Sequence, residues 1–284
     1  MPEITGLYLV DKPPGPSSFA VLSGLRPALG RKLGHAGTLD PFATGLLLVV
    51  AGRATRLATY LSGVDKEYTA VVQFGAVSTT LDPEGEIAPA GPAVGAEAVE
   101  AAAETLRGEI VQAVPAASAV KVDGERAYVR MRRGETVAPE PRRVTIHRLA
   151  VDTFDADTQR AGITVRCSKG TYIRQVAADL GTATGAGAYC LELRRTWAGG
   201  FAVTDAGTPE QVAADPFGPW YRSAADALPH LPARVLDPDE CRDIAHGRAL
   251  QRLGEAGVTR LLADGELRAV AEPRGERLQP VVVL

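Results

Sequence analysis

The sequence predicts an α+β fold in two parts, and three observations carry this reading. Residues 46–51 form a short apolar run, and residues 68–74 alternate apolar and polar, both of which read as strands. Val99, Ala103, Leu106 and Ile110 recur at helical spacing, so helices lie among those strands. From about Leu231 the pattern changes to a short helix and hairpin-like strands, which marks a small β-rich C-terminal domain.

Taken in order, residues 6–10 read as a strand running into Asp11-Lys12-Pro13-Pro14-Gly15-Pro16-Ser17-Ser18. Ser17 or Ser18 caps a helix with Phe19, Leu22 and Leu25 on one face. Next comes Gly34-His35-Ala36-Gly37-Thr38-Leu39-Asp40-Pro41, read as a tight loop before the buried strand at 46–51. Its glycines supply backbone shapes that other residues resist, and Pro41 pushes Asp40 toward an extended conformation. Such a loop presents one carboxylate from a rigid support; taken alone, Asp-Pro more often marks an Asx-type turn.

The strand at 68–74 follows Asp65-Lys66-Glu67-Tyr68, and then comes Ser78-Thr79-Thr80-Leu81-Asp82-Pro83-Glu84-Gly85. A helix covers residues 96–106 or beyond. Residues 115–143 are rich in charge and turn residues, with Lys121, Arg126, Arg130, Arg132, Arg133, Arg142 and Arg143 facing Asp123, Glu125, Glu135 and Glu140. Tyr128 lies among those arginines. Basic residues interleaved with an aromatic suit looped or single-stranded RNA, although a solvated face produces the same run. Residues 144–154 and 161–167 read as strands. The second leads into Ser168-Lys169-Gly170-Thr171-Tyr172-Ile173-Arg174 and a helix that Gly181 ends. In the last part, Asp237 starts a short helix that Gly247 ends. Residues 261–271 fold around Asp264-Gly265, and 281–284 form a final strand.

Composition bounds the function. The chain has 284 residues, 45% hydrophobic and 23% charged, with a formal net charge of −3, so no global basic field exists. Any RNA grip must then come from local basic patches. Only five of the 31 basic residues are Lys, a bias that suits planar phosphate contacts but that codon usage explains more simply. Cys167, Cys190 and Cys241 show neither zinc nor disulfide spacing and read as small apolar residues in a reducing compartment. The four histidines show no metal spacing, and His147 and His246 read as surface or capping residues. The chain shows no leader pattern and no apolar run of membrane-spanning length, so a cytoplasmic protein without membrane association is expected.

Residues 34–47 resemble the signature G-H-x-G-T/A-L-D-P-x-A-x-G-L-L of the TruB family, pseudouridine synthases acting on uridine 55 in the T loop of tRNA. Four further segments resemble family motifs in the same order: 11–18, 65–68, 167–174 and 191–196. The resemblance implies a catalytic domain over 1–228 with a mixed, largely antiparallel sheet and flanking helices. It implies a thumb-like RNA-binding insertion at about 115–143 and a PUA-like RNA-binding domain over 229–284. The C-terminal part matches more weakly, its eight Arg being opposed by nine acids.

The resemblance also implies the site. Asp40 is the catalytic carboxylate, Tyr68 stacks on the target base, and Arg174 pairs with Asp40. His35 fills the space left by the flipped base, and Leu193 packs against that base. Lys12, Tyr172, Asp82, Lys121, Arg130, Arg132 and Arg133 join His35 and Leu193 as substrate-binding candidates. Lys12 serves a structural role as readily as a substrate contact, and Asp82 either orients RNA or closes a turn. Two departures stand out: Thr79 occupies the place of an expected first acid, and Ala117 replaces a family Tyr. Turning uridine into pseudouridine breaks the N1–C1′ bond, rotates the base and joins C5 to C1′, so no cofactor and no metal are expected. Asp40 can attack C6 or C1′ or take a proton from C2′, and Tyr68 offers a route for the C5 proton. The base must be flipped out of the folded RNA. A monomer acting on the tRNA T stem-loop with no obligate protein partner is expected. The rivals are a non-catalytic tRNA-folding chaperone and a guide-RNA-dependent synthase.

Overall fold

The computed structural model describes residues 4–284 apart from 119, 123, 255 and 256. Asp123 and Glu255, counted in the charge balances above, lie outside the described residues, as do the side chains of Tyr128 and Arg132. The fold is α+β and divides into two compact units. The first comprises Met1–Pro41, Gly45–Val64 and Trp197–Leu284, and the second Phe42–Thr44 and Asp65–Thr196.

In the first unit the strand Gly6–Lys12 runs antiparallel to Thr44–Ala51, in register from Gly6 opposite Ala51 to Lys12 opposite Gly45. Leu7, Leu9, Leu46, Leu48 and Val50 are fully buried, as the continuous apolar run required. They share a core with Leu57, Leu61, Phe201, Leu228, Leu267 and Val270. The helix Ser18–Leu29 turns Val21, Leu22, Leu25 and Leu29 inward. Ser17 is its cap, accepting from the Ala20 N–H at 3.1 Å. The first unit also holds the five-stranded C-terminal sheet, in the order Ala233–Val235, Thr259–Ala263, Glu266–Arg274, Arg277–Val283, Leu250–Gln251. Its first pairing is parallel and the others antiparallel. The helix Pro238–Ala245 starts from a reciprocal cap between Asp237 and Glu240 and helps to close a second small core around Leu236, Ile244, Leu250, Leu261 and Leu278.

In the second unit Lys66–Phe74, Arg160–Cys167, Arg142–Asp155 and Gly108–Gln112 pair in that order, all antiparallel. Along Lys66–Phe74 burial alternates, and Lys66, Tyr68, Ala70, Val72 and Phe74 share the buried face. The helices Ala96–Thr105 and Ile173–Thr184 belong to the same unit.

Five expectations need correction. Phe19, read on one apolar face with Leu22 and Leu25, is 62% exposed, and Val21 and Leu29 take its place on the buried side of the helix Ser18–Leu29. The helix read over 96–106 or beyond stops at Thr105, and Ile110 sits instead in the strand after Gly108, whose φ of +88° breaks the helical path. The last strand begins at Arg277 rather than 281, after a second hairpin turn at Gly275. Pro280, at an irregularity in that pairing, hid the signal. His35 does not lie in the loop of Asp40 but on the short strand Leu33–Ala36, opposite Val49. Gly181 does not end its helix, which runs on to Thr184 and is capped by left-handed Gly185. Gly181 is small because the chain returns against it: a Cβ there would lie 2.2 Å from the Ala188 nitrogen.

This close approach sets two effects against each other in Gly181→Ala. Alanine gains about 1 kcal/mol of helix propensity. It also drives a methyl group into backbone that no rotamer change can relieve, an overpacking worth about 1–3 kcal/mol. The packing effect wins, so the urea unfolding midpoint is expected to fall rather than rise.

Candidate active site

Gly37, at φ +87°, turns the chain out of the strand Leu33–Ala36 into a loop that ends where Thr44 begins the next strand. Within this loop Asp40 is half-buried, and the backbone on both sides of it is held. The buried Ser18 hydroxyl donates to the Leu39 carbonyl and accepts from the Leu39 N–H, both at 2.9 Å. The Pro41 carbonyl accepts from Lys12 Nζ at 3.0 Å and from the Gly15 N–H at 2.9 Å.

Of the two roles considered for Lys12, the structural one fits and the substrate contact does not. Its side chain has no exposed surface, and its ammonium reaches the Pro13 and Pro41 carbonyls, so it braces the loop from inside instead of meeting a substrate. His35 is half-buried on its strand, five residues before Asp40.

In the second unit Tyr68 is the third residue of Lys66–Phe74, buried and opposite Val165. Lys66 lies two residues away on the same face. Burial, reinforced by the Arg195 charge, pushes the Lys66 ammonium down to about 8. Burial likewise pushes the Cys167 thiol up to about 11, which leaves it an inert core residue.

Arg174 sits in the first turn of Ile173–Thr184 and is only 2% exposed, which rules out a solvated-face role. Its guanidinium donates to the Thr80 and Ala117 carbonyls, each at 2.8 Å, and pairs with Asp82 at 3.2 Å. Asp82 also accepts from Thr80 Oγ1 at 2.5 Å and from the Glu84 N–H at 3.0 Å. It thus closes the turn and holds Arg174. Its side chain is 5% exposed, so the RNA contact considered for it is replaced by an internal ion pair. Thr79, in place of an acid, accepts from the Glu86 N–H at 3.0 Å and closes the same loop. At Ala117 the backbone bond to Arg174 is in place without the family's Tyr side chain.

Tyr172 is half-buried, and the Arg142 guanidinium lies 5.4 Å from its ring centroid. Both of its backbone groups are held by the amide of Gln112, at 2.9 and 3.1 Å. Leu193 is buried, and its carbonyl accepts from Thr44 Oγ1 at 3.4 Å.

The basic run is less bare than the sequence suggests. Lys121 is exposed on a two-residue strand. Arg130 pairs with Glu135 at 2.7 Å, and Arg133 pairs with Glu125 at 2.5 Å and Glu135 at 2.8 Å. The Arg133 pairs are exposed and weak, and the Arg130 pair is only half-buried, so phosphates can compete for the same guanidiniums. The side chain of Arg132 lies outside the described residues.

Sequence reasoning missed Ser18 as a loop brace, Gln112, and the fully buried Arg195. Ser18 had a signal in the paired serines at the helix start, of which one alone is needed as the cap, and Arg195 lay within the motif at 191–196; Gln112 had none. Among the described residues no group of three or more His, Cys, Asp or Glu is arranged to hold a metal ion, and no helix is long and apolar enough to cross a membrane.

The family model described as TruB family pseudouridylate synthase (N terminal domain) matches residues 26–173, and that described as tRNA Pseudouridine synthase II, C terminal, matches 231–284. The chain is 42% identical over 299 residues to "tRNA pseudouridine synthase B" of Arthrobacter sp. (strain FB24), covering 99% of this chain and 96% of that protein. It is 42% identical over 289 residues to the protein of the same name from Thermobifida fusca (strain YX), covering 98% of each. The chain belongs to the TruB family. It is a pseudouridine synthase, an isomerase. Among solved structures it resembles a chain of a Cbf5-Nop10-Gar1 complex with a TM-score of 0.77 at 24% identity, over 98% of this chain and 84% of that one. At that identity the likeness shows the fold alone.

For this TruB-family chain the buried Lys66 makes a pH prediction. Its folded value, about 8, lies below the unfolded value of 10.5, so between these the unfolded chain binds more protons. The penalty of burying the ammonium is fully present below pH 8 and is relieved as pH rises toward 10.5. Lys66→Met removes it. The unfolding free energy of the wild type, relative to the variant, is expected to rise by about 2–3 kcal/mol between pH 7.5 and 10.5. Urea unfolding at both pH values measures this, and a pH-independent difference would contradict it.

Proposed function

We propose that this enzyme isomerises uridine 55 in the T loop of tRNA to pseudouridine, alone and without a guide RNA, through the carboxylate of Asp40. What carries the reading is the loop that holds Asp40 between two fixed residues, inside the motif from Gly34 to Leu47. The relatives named tRNA pseudouridine synthase B support tRNA as the substrate. The fold likeness to the Cbf5 complex carries no argument for guide dependence.

In this reading the target base is flipped from the tRNA fold and stacks on Tyr68, and His35 takes its place. Leu193 and Tyr172 border the base. Arg174 holds Asp40 ionised in a site whose desolvation favours protonation. Asp40 acts on C6, on C1′ or on the C2′ proton, the N1–C1′ bond breaks, the base turns, and C5 joins C1′. Tyr68 offers its hydroxyl toward the C5 proton. Residues 1–228 act as the catalytic domain, 115–143 as a thumb over the T loop, and 229–284 as a PUA-like RNA-binding domain. The enzyme works as a cytoplasmic monomer, without metal, cofactor or obligate protein partner.

The direct test is incubation with an unmodified tRNA transcript and nothing else, followed by mapping of pseudouridine. Modification at position 55 is expected; none, or modification only on addition of a guide RNA, would overturn the reading. Asp40→Asn keeps the shape but can act neither as nucleophile nor as base. Tritium release from C5-labelled tRNA should fall by more than about 10³-fold, the scale of losing an essential acid–base group, with tRNA affinity nearly intact. Substantial release by that variant favours the chaperone reading.

Neutralising Arg130, Arg132 and Arg133 together is expected to weaken tRNA binding. The slope of log affinity against log salt should fall by about one for each phosphate that the variant no longer neutralises. Wild-type affinity and slope in the triple variant would leave the run a solvated face.

A further inference from the structure

Ser18 stands beside the residue that caps its helix and is not needed for capping, because Ser17 already accepts from the Ala20 N–H. It is 1% exposed. Its single oxygen donates to one backbone group of Leu39 and accepts from the other, both at 2.9 Å. A hydroxyl carries one donor and two acceptor lone pairs, so it can satisfy both groups at once. Leu39 needs this: it sits in a loop between strands, its own side chain is 3% exposed, and buried backbone groups without partners are strongly disfavoured. Ser18 thereby does for Leu39 what a paired residue does across an antiparallel ladder. On the far side of Asp40, Pro41 is fixed by its ring and by the two donors to its carbonyl. Asp40 is thus the residue between two pinned ones, and the dihedrals that aim its carboxylate are set by their positions.

We propose that Ser18 is a positioning residue for Asp40, holding the Leu39 backbone so that the carboxylate leaves the loop in its reactive direction. The inference rests on the reading of Asp40 as the reacting carboxylate. In Ser18→Ala both Leu39 groups lose their partner at a site that water does not reach, and the loop relaxes. A misplacement of about 1 Å costs on the order of 10²-fold in rate.

The test is a single-turnover measurement on full-length enzyme with C5-labelled tRNA at saturating enzyme, alongside tRNA affinity and thermal unfolding. For Ser18→Ala the rate constant is expected to fall about 10²-fold while affinity stays within about threefold. Ser18→Thr, which restores the hydroxyl, should recover the rate to within about tenfold of wild type. A merely structural role would lower the amplitude, as fewer molecules fold, and leave the rate constant unchanged. That result, or Ser18→Thr no faster than Ser18→Ala, overturns the proposal. Should Ser18→Ala not fold, Ser18→Cys, similar in shape but a weak donor and acceptor, takes its place with the same expected fall. Asp40→Asn run in parallel separates the two claims. If it is inactive while Ser18→Ala runs at full speed, only the role of Ser18 fails. If it is active, the catalytic reading fails and this inference with it.

Discussion

The arrangement of the first unit depends on one constraint: the backbone on either side of Asp40 must be satisfied from inside the protein. Leu39 and Pro41 lie in an irregular loop that the neighbouring strands do not pair, and free backbone groups in a buried place are costly. The chain meets this cost with side chains from its first motif. Ser18, at the start of a helix, takes both groups of Leu39, while the buried Lys12, at the end of a strand, and the Gly15 amide take the Pro41 carbonyl. The distance in sequence between these residues and Asp40 is closed by the pairing of Gly6–Lys12 with Thr44–Ala51, which sets Lys12 opposite Gly45, just beyond the loop. Both faces of those strands are closely packed, so a slip in register by one residue would turn every side chain into a space shaped for another. A core of ordinary leucines and valines thus fixes where one carboxylate stands.

A second constraint is electrical. The chain is acidic overall, yet the charges it buries are mostly positive. Among the described residues Lys12, Lys66, Arg174 and Arg195 are buried against one buried acid, Asp82. Burying a cation is unfavourable unless it is paired or hydrogen-bonded. Lys12 spends its charge on carbonyls, and Arg174 on two carbonyls and Asp82. Lys66 shows the residual cost directly, its ammonium being easier to neutralise than in water.

Much of this was legible in the sequence because it rests on local rules. The alternation at Lys66–Phe74 marks a strand with one buried face, and the spacing of Ile173, Val176, Ala177 and Leu180 marks the buried side of a helix. The misreadings have a shared cause, which is that local signals have tertiary meanings. Gly181 reads as a helix stop but is a place where the chain returns in close contact. The last strand reads as starting at 281, yet it begins at Arg277 and Pro280 sits at an irregularity within it. His35 reads as a loop residue because four residues between glycines and polar groups are too few to show a strand period. The same holds at the site. The motif singles out Asp40 as a candidate, whereas the loop-bracing contacts of Lys12, the pairing of Asp82 with Arg174 and the support from Ser18 and Gln112 depend on residues tens of positions apart.

The central claim is that the loop carrying Asp40 is part of the rigid core and not a mobile surface turn. Hydrogen exchange at the Leu39 amide tests this most directly. That N–H is buried and bound to Ser18, so it should exchange only through global unfolding, as slowly as the Leu48 amide in the central strand and with the same dependence on denaturant. Exchange at the rate of a free loop, with no dependence on denaturant, would contradict the account.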